Sequence, residues 1–133
     1  MFKIKVYTVG KLKESWLQEA LAEYEKRLSK RCQLEWILKD TLPEAPWIAL
    51  DVRGELLSSE AFSKKWMQYL VKHGSRANIL IGGPEGIPET LLVKSAWRLS
   101  LSPLTLTHQM VRLLLTEQIY RAFEIEGGSS YHK

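Results

Sequence analysis

Short apolar runs alternate along the chain with longer stretches in which apolar residues recur at helical spacing. Residues 3–9, KIKVYTV, alternate lysine with apolar side chains before Gly10, a pattern typical of a strand. Runs such as WIALDV and ANILI are mostly apolar, as buried strands are. Strands are predicted at residues 3–9, 32–38, 47–52, 77–81 and 97–101, the third being closed by Arg53 and Gly54.

The stretches between the strands predict helices. Ser15 with Gln18 resembles a capping box at the start of the first helix. Gly74 can end the second helix, and Thr107 can cap the last one. Helices are predicted at residues 15–30, from residue 58 or 59 to about 72, and at 107–125, with a short helix after Pro88.

The alternation of strands and helices predicts an α/β fold, with a mainly parallel sheet and helices on both of its faces. No linker or internal repeat divides the sequence, so residues 1–133 are expected to form one domain. In such sheets, ligands bind beyond the carboxyl ends of the strands. The loops after Leu50, Ile81 and Leu101 are therefore candidates for a shared pocket.

Composition narrows the class of protein. The chain has 133 residues, 45% of them hydrophobic and 26% charged, as in ordinary globular proteins. No apolar run approaches the roughly 20 residues of a membrane span, and the first residues lack the apolar stretch of a signal peptide. We therefore expect a cytoplasmic protein without membrane contact. The single cysteine, Cys32, excludes an internal disulfide, and with three histidines we expect no metal site.

The positive charge is concentrated at the start of the chain. The formal net charge is +4, and residues 1–31 hold eight Lys and Arg against four Glu. The remaining residues carry equal numbers of both signs. This basic flank fits contacts with phosphates, although a solvated helix face would give the same charge pattern.

Residues 79–88, ILIGGPEGIP, place three glycines directly after a predicted strand. Glycine lets a ligand approach the backbone closely, because no Cβ blocks it. Neither the dinucleotide fingerprint GxGxxG nor the phosphate loop GxxxxGK is present. A ligand-binding turn and a structural strand-to-helix turn both fit this sequence.

Residues 99–112, LSLSPLTLTHQMVR, combine apolar side chains with free backbone polar groups, which suits a flat base such as adenine. An ordinary loop before a capped helix is the alternative. The helix that follows is apolar on more than one side, which favours a homodimer interface over burial within one chain. His108 could act as a weak base or be a structural residue. The tail Tyr131-His132-Lys133 could likewise carry chemistry or be a frayed end.

Four segments in order give the chain a family resemblance: LIGGPEG, the 99–112 stretch, EQIYRAF and the terminal YHK. With the start KIKVYTVGKLKE they cover nearly the whole chain, which resembles the bacterial ribosomal large subunit methyltransferase H family. Those enzymes are small members of the SPOUT superfamily that methylate N3 of a pseudouridine in 23S rRNA. The resemblance implies a C-terminal trefoil knot, a rare exception to unknotted topology.

The same resemblance implies that S-adenosylmethionine is the methyl donor and that no metal is needed. The knot loops would hold the donor, at the end of WIALDV, in the glycine turn and in the loop after the fifth strand. The donor contacts implied are Leu50, Gly82, Leu101, Ser102, Pro103, Leu104, Thr105 and Leu106.

The resemblance also implies where the target nucleotide is handled. His108 and Arg121 match motif residues near the target, and Tyr131, His132 and Lys133 match the family's C-terminal tail. The family is homodimeric, and the tail of one subunit completes the site of the other. The implied partner is 23S rRNA, in the large subunit or in the whole ribosome.

Two features depart from the family pattern. The stretch between Asp40 and Trp47 is shorter than in relatives, where a further helix usually lies, so the peripheral packing and part of the RNA-facing surface are expected to differ. Thr107 stands where the family commonly has proline. Because threonine also caps helices, we expect little change there.

The residues and the resemblance together suggest one mechanism. The base is held with N3 in line with the methyl group, and N3 must lose its proton. His108 or His132 could accept that proton, and Arg121 or Lys133 could stabilise the charge that spreads to the flanking carbonyl oxygens. The alternatives are a SPOUT-like methyltransferase that acts on another RNA such as tRNA, and a non-catalytic RNA-binding module.

Overall fold

A computed structural model describes residues 1–132. The helices and strands of this range are β1 Phe2–Tyr7, α1 Ser15–Leu28, β2 Cys32–Ile37, β3 Ile48–Leu56, α2 Ser59–Lys72, β4 Arg76–Ile81, α3 Glu89–Leu92, β5 Trp97–Ser100 and α4 His108–Glu126. The predicted elements are confirmed, and except at the end of β3 their bounds are close to those predicted.

The strands form one sheet in the order β2-β1-β4-β3-β5, and every neighbouring pair is parallel. Leu50 in β3 lies opposite Ile81 in β4 and opposite Leu99 in β5. The carboxyl ends of β4 and β5 therefore lie on either side of Leu50, within β3. The predicted α/β class with a parallel sheet is confirmed, and the trefoil knot stays a prediction.

Helices lie on both faces of the sheet, but unequally. The helices α1, α2 and α4 pack on the face that carries Ile4 and Ile79. On the opposite face α3 places Leu92 against Trp47 and Ala49. The strands β1 and β2 also direct alternate polar side chains to that face, namely Lys3, Lys5, Gln33 and Glu35.

The last helix, α4, is held between α1 and α2. It contributes a buried stripe to the main core, formed by Leu115, Ile119, Ala122 and Phe123. Met110, Leu113 and Leu114 stay half-buried. Much of the apolar surface of α4, which suggested a dimer, is thus buried against the rest of the chain. A smaller apolar surface on α4 stays partly exposed.

The strand β3 is longer than predicted, because Gly54 does not close it. The strand pairs with β5 in two parts: Leu50 lies opposite Leu99, and after a register shift Glu55 lies opposite the same residue. A Cβ on Gly54 would lie 2.8 Å from the backbone of β5. Glycine is therefore needed here for the close approach of two strands and not for a turn.

The two helix starts that were predicted from caps have different outcomes. The capping box at Ser15 is wrong, since Glu14 is the N-cap residue and the Gln18 amide donates to a backbone carbonyl upstream. The cap of α4 is confirmed. Thr107 Oγ1 accepts a hydrogen bond from the backbone N–H of Met110 at 3.3 Å.

No helix of residues 1–132 has both the length and the apolar character needed to cross a bilayer. Within the same range, His, Cys, Asp and Glu side chains form no group of three that could hold a metal. The one cysteine, Cys32, is buried, and burial raises the pKa of its thiol to about 11.

Candidate functional site

A cleft lies beyond the carboxyl ends of β4 and β5. The loops that follow these two strands meet there as predicted, whereas the predicted loop after Leu50 is wrong, because the chain continues as β3 and contributes Leu50, Asp51 and Val52 to the wall. The start of α4 adds His108 to the wall. Of the predicted donor contacts, the cleft includes Leu50, Gly82, Leu101, Ser102, Leu104, Thr105 and Leu106, whereas Pro103 is exposed and does not line it.

The glycine turn forms one wall of the cleft. The backbone N–H of Gly86 donates to the Gly83 carbonyl at 2.8 Å, and Gly86 has a φ of +81° that favours glycine. A Cβ on Gly82 would lie 2.7 Å from Gly86 and 2.8 Å from Ile87. The backbone of the turn therefore leaves no room for a side chain at residue 82. The turn can serve a structural role and bind a ligand at the same time.

The loop after β5 is shaped by its serines. Ser100 Oγ donates to the Ser102 carbonyl at 3.1 Å, and Ser102 Oγ accepts from the backbone N–H of Leu104 at 2.9 Å. These bonds fold the loop so that Thr105 and Leu106 reach the cleft. The wall combines apolar side chains with backbone polar groups, the combination that a purine base requires.

One acidic side chain belongs to the cleft. Asp51 follows Leu50 in β3 and lines the cleft, with its side chain 15% exposed. Its Oδ2 is buried and has no hydrogen-bond partner within the described residues. The nearest cations are Arg53 and Arg98, at 3.8 Å and 3.9 Å. Asp51 Oδ2 is thus stabilised by two ion pairs and not by a hydrogen bond.

A second cluster lies at the other end of α4, where the C-terminal tail folds back. Tyr131 donates its hydroxyl hydrogen to Glu117 Oε2 at 2.7 Å, and Arg121 Nη2 donates to the same oxygen at 2.8 Å. The Arg121 guanidinium carbon lies 4.8 Å from the centre of the Tyr131 ring. That ring also meets Tyr120 edge to face, with centroids 4.7 Å apart. We call Glu117, Arg121, Tyr131 and His132 the tail cluster.

The protonation of the tail cluster follows from its contacts. His132 Nδ1 lies 3.0 Å from Arg121 Nη1 and must be the acceptor, because a guanidinium has no lone pair to offer. The ring proton is then on Nε2, which donates to Glu60 at 2.9 Å. Burial, followed by the bond to Glu117, raises the pKa of the Tyr131 phenol. Tyr131 therefore acts as a neutral donor near pH 7.

The cleft and the tail cluster of one chain share no residue. Val111 of α4 lines the cleft and lies six residues before Glu117 of the tail cluster, which corresponds to about 9 Å at 1.5 Å per residue. The structure brings Arg121, Tyr131 and His132 together, but does not bring them to the cleft of the same chain. Lys133 lies outside the described residues.

This sequence matches the family model "Predicted SPOUT methyltransferase" over residues 2–38 and 34–132. The chain belongs to the SPOUT methyltransferases. The two matched segments meet at residues 34–38, just before the stretch expected to be shortened.

Curated relatives of this SPOUT methyltransferase match it from end to end. "Ribosomal RNA large subunit methyltransferase H" of Protochlamydia amoebophila is 47% identical over 141 residues, with 100% of both chains covered. The protein of the same name from Acetivibrio thermocellus is 35% identical over 159 residues, covering 98% of this chain and 99% of the relative. Both alignments are longer than the 133-residue chain, so these relatives contain residues that this chain lacks.

Sequence reasoning missed the most deeply buried charge of this SPOUT methyltransferase. Arg112 is 2% exposed, and it donates to the carbonyls of Val9, Gly10 and Lys11 at 3.0–3.4 Å. It also donates to Thr8 Oγ1 at 3.3 Å. Burial lowers the pKa of Arg112. The signal in the sequence was an arginine on the apolar face of a predicted helix.

Some basic residues of the first 31 form contacts within the chain. Arg31 donates to the Phe123 carbonyl at 3.0 Å, and Arg27 pairs with Glu23 at 2.9 Å. Lys11 and Lys13, by contrast, lie on the loop that Arg112 holds beside the cleft. These two lysines are the better candidates for phosphate contacts in this SPOUT methyltransferase.

The glycine turn allows a matched pair of substitutions. Gly82→Ala is expected to lower the free energy of unfolding by about 2 kcal/mol, because its Cβ would overlap the turn's backbone, and to weaken donor binding with it. Gly83→Ala should stay within about 0.5 kcal/mol of wild type, since a Cβ there meets nothing within 4 Å. Chemical denaturation gives both values. Equal losses for the two variants would contradict the steric argument.

Proposed function

We propose that this chain is an S-adenosylmethionine-dependent methyltransferase that methylates N3 of a pseudouridine in 23S rRNA, within the large subunit or the whole ribosome. The observation that carries the proposal is the cleft built by β3 and by the loops after β4 and β5. The names of the full-length relatives support the RNA substrate. Residues 1–133 would act as one catalytic domain, in the cytoplasm where ribosomes are found.

The residues of the cleft fit the methyl donor. Leu50, Leu101 and Leu106 offer apolar faces for a base, and the loop backbone offers polar edges. Asp51 lies on the same wall, and its carboxylate suits the amino or hydroxyl groups of the donor. When bound, the donor supplies a methyl carbon made electrophilic by its positive sulfur.

The chain's own residues must prepare the base. The N3–H of the target ring is a weak acid, and the charge left after proton loss spreads onto two carbonyl oxygens. A guanidinium near these oxygens stabilises that charge, which is the role proposed for Arg121, with Lys133 as the second candidate. His108 lies on the cleft wall and His132 on the tail cluster. His108 is the better candidate to accept the N3 proton, because Arg121 and Glu60 occupy both ring nitrogens of His132.

A homodimer would unite the two parts of the site. In one chain the residues of the tail cluster do not line the cleft. The half-buried residues Met110, Leu113 and Leu114 leave apolar surface on the same helix. A second subunit packed there would bring its tail to the first subunit's cleft.

Dimerisation is tested by mass and by complementation. Sedimentation at micromolar concentration should give about twice 15.4 kDa. A cleft-filling variant, Leu106→Trp, and a chain ending at residue 130 should each be inactive alone. Their equal mixture should recover about a quarter of wild-type activity, because half of randomly formed dimers have one complete site. A monomer that methylates, or no recovery in proven heterodimers, would refute the shared site.

The substrate is tested with three RNAs in parallel. Purified protein and labelled S-adenosylmethionine are incubated with whole ribosomes, free 23S rRNA and tRNA. We expect methyl transfer to ribosomes at N3 of one pseudouridine, identified by mass spectrometry of digested RNA. Transfer to tRNA instead would support an enzyme for another RNA. Tight ribosome binding without transfer to any substrate would support a non-catalytic module.

A further inference from the structure

The carboxylate of Glu117 is the most heavily used acceptor of the tail cluster. Its Oε2 accepts from Tyr131 at 2.7 Å and from Arg121 Nη2 at 2.8 Å. Its Oε1 accepts from Gln118 at 2.9 Å and from Arg121 Nε at 3.4 Å. The side chain is only 16% exposed. Both carboxylate oxygens are therefore occupied by donors from within the chain.

These contacts join residues from two segments. Arg121 lies one turn after Glu117 on α4, whereas Tyr131 lies in the tail beyond Gly127 and Gly128. One oxygen of Glu117 thus fixes a helix side chain and a tail side chain with respect to each other. Arg121 passes the constraint on, because its Nη1 donates to His132 Nδ1.

The same contacts limit what Glu117 can do. With both oxygens hydrogen-bonded, its carboxylate has no free edge for a substrate. Its hydrogen bonds also fix the orientation of the Tyr131 hydroxyl and of the Arg121 guanidinium. Glu117 is placed to orient other groups and not to touch the base.

We propose that Glu117 is a positioning residue for methyl transfer, which acts by holding Arg121 and Tyr131 as one preformed unit. This inference rests on the proposed function, in which Arg121 and the tail serve the reaction. It predicts that loss of the Glu117 charge lowers the reaction rate and leaves binding unchanged. Misplacing such groups by about 1 Å costs up to about 100-fold in rate.

The main test is Glu117→Gln, which keeps the size of the side chain and removes its charge. The rate of single-turnover methyl transfer at saturating ribosome should fall about 10- to 100-fold. The affinities for ribosome and for S-adenosylmethionine should stay within about twofold. A wild-type rate at saturation would overturn the proposal, and so would a loss confined to ribosome affinity.

The matched control is Glu124→Gln. Glu124 lies on the same helix, is 18% exposed and pairs with Arg31 at 3.4 Å, outside the tail cluster. The control loses a comparable ion pair and should keep the wild-type rate. An equal loss of rate in both variants would assign the effect to α4 as a whole and would overturn a specific role of Glu117.

A double-mutant comparison separates positioning from independent action. Tyr131→Phe removes one partner of Glu117, and the double variant with Glu117→Gln should be little slower than the slower single variant. Losses that multiply would overturn the proposal. Should Glu117→Gln fail to fold, Glu117→Asp keeps the charge but is too short to reach both partners, so the same loss of rate is expected.

The outcomes also distinguish this inference from the proposed function. If Arg121→Lys and Tyr131→Phe keep the wild-type rate, the tail does not serve the reaction and the proposed site is wrong. If those two variants are slow while Glu117→Gln is as fast as wild type, the proposed site stands and the positioning role of Glu117 fails.

Discussion

Removal of residues 131–133 is expected to lower the rate of methyl transfer at saturating ribosome by about 100-fold or more. The deletion takes away Tyr131, His132 and Lys133 together. Affinity for S-adenosylmethionine should stay within about twofold, because Tyr131 and His132 do not line the cleft of their own chain. The fold should persist, since Tyr131 and His132 are not among the residues of the main core.

The measurement is single-turnover methyl transfer over a titration of ribosomes. Lys11→Ala with Lys13→Ala is the comparison variant, which should weaken ribosome binding and reduce its salt dependence while the rate at saturation is kept. A tail deletion that reaches the wild-type rate at high ribosome concentration would make the tail a docking element. Loss of donor binding in the deletion would instead indicate that the tail supports the cleft.

Arg112→Met is expected to lower the free energy of unfolding by about 3 kcal/mol, the largest loss for a single side chain outside the apolar core. The buried guanidinium donates hydrogen bonds to the side chain of Thr8 and to three backbone carbonyls of the loop after β1. Methionine fills much of the space but leaves these acceptors without a donor. The loop that carries Lys11 and Lys13 would then lose its anchor beside the cleft.

Chemical denaturation checks this value, with Arg53→Met as the matched control. The Arg53 side chain is 73% exposed, so the same substitution there should cost no more than about 0.5 kcal/mol. Arg112→Lys should recover only part of the loss, since one ammonium group cannot reach four acceptors. Equal stability of Arg112→Met and wild type would show that the loop does not depend on this residue.

The elements of the fold were predictable because their signals are local. Alternating and apolar runs give strands, helical spacing gives helices, and Thr107 caps α4 as its sequence position suggests. The cleft followed from the same reasoning, because parallel strands place their carboxyl ends along one edge. Leu50, Gly82 and Leu101 meet at that edge.

Where local signals were ambiguous, prediction failed. Gly54 after an apolar run is typical of a strand end, but here the glycine lets β3 pass close to β5. Ser15 and Gln18 have the spacing of a capping box, although the chain begins α1 after Glu14. In both cases the deciding contact joins backbone or side-chain atoms that the local pattern does not specify.

The sequence by itself determined the α/β class, the strands and helices, two loops of the cleft and the family to which the chain belongs. Tertiary structure decided which side chains share a site. Glu117 meets Tyr131 fourteen residues away, and Arg112 meets a loop about a hundred residues earlier. Such contacts depend on how distant segments pack and not on the pattern of either segment alone. The hydrogen-bond partners of a buried arginine on a helix can be identified only once the packing of that helix is known.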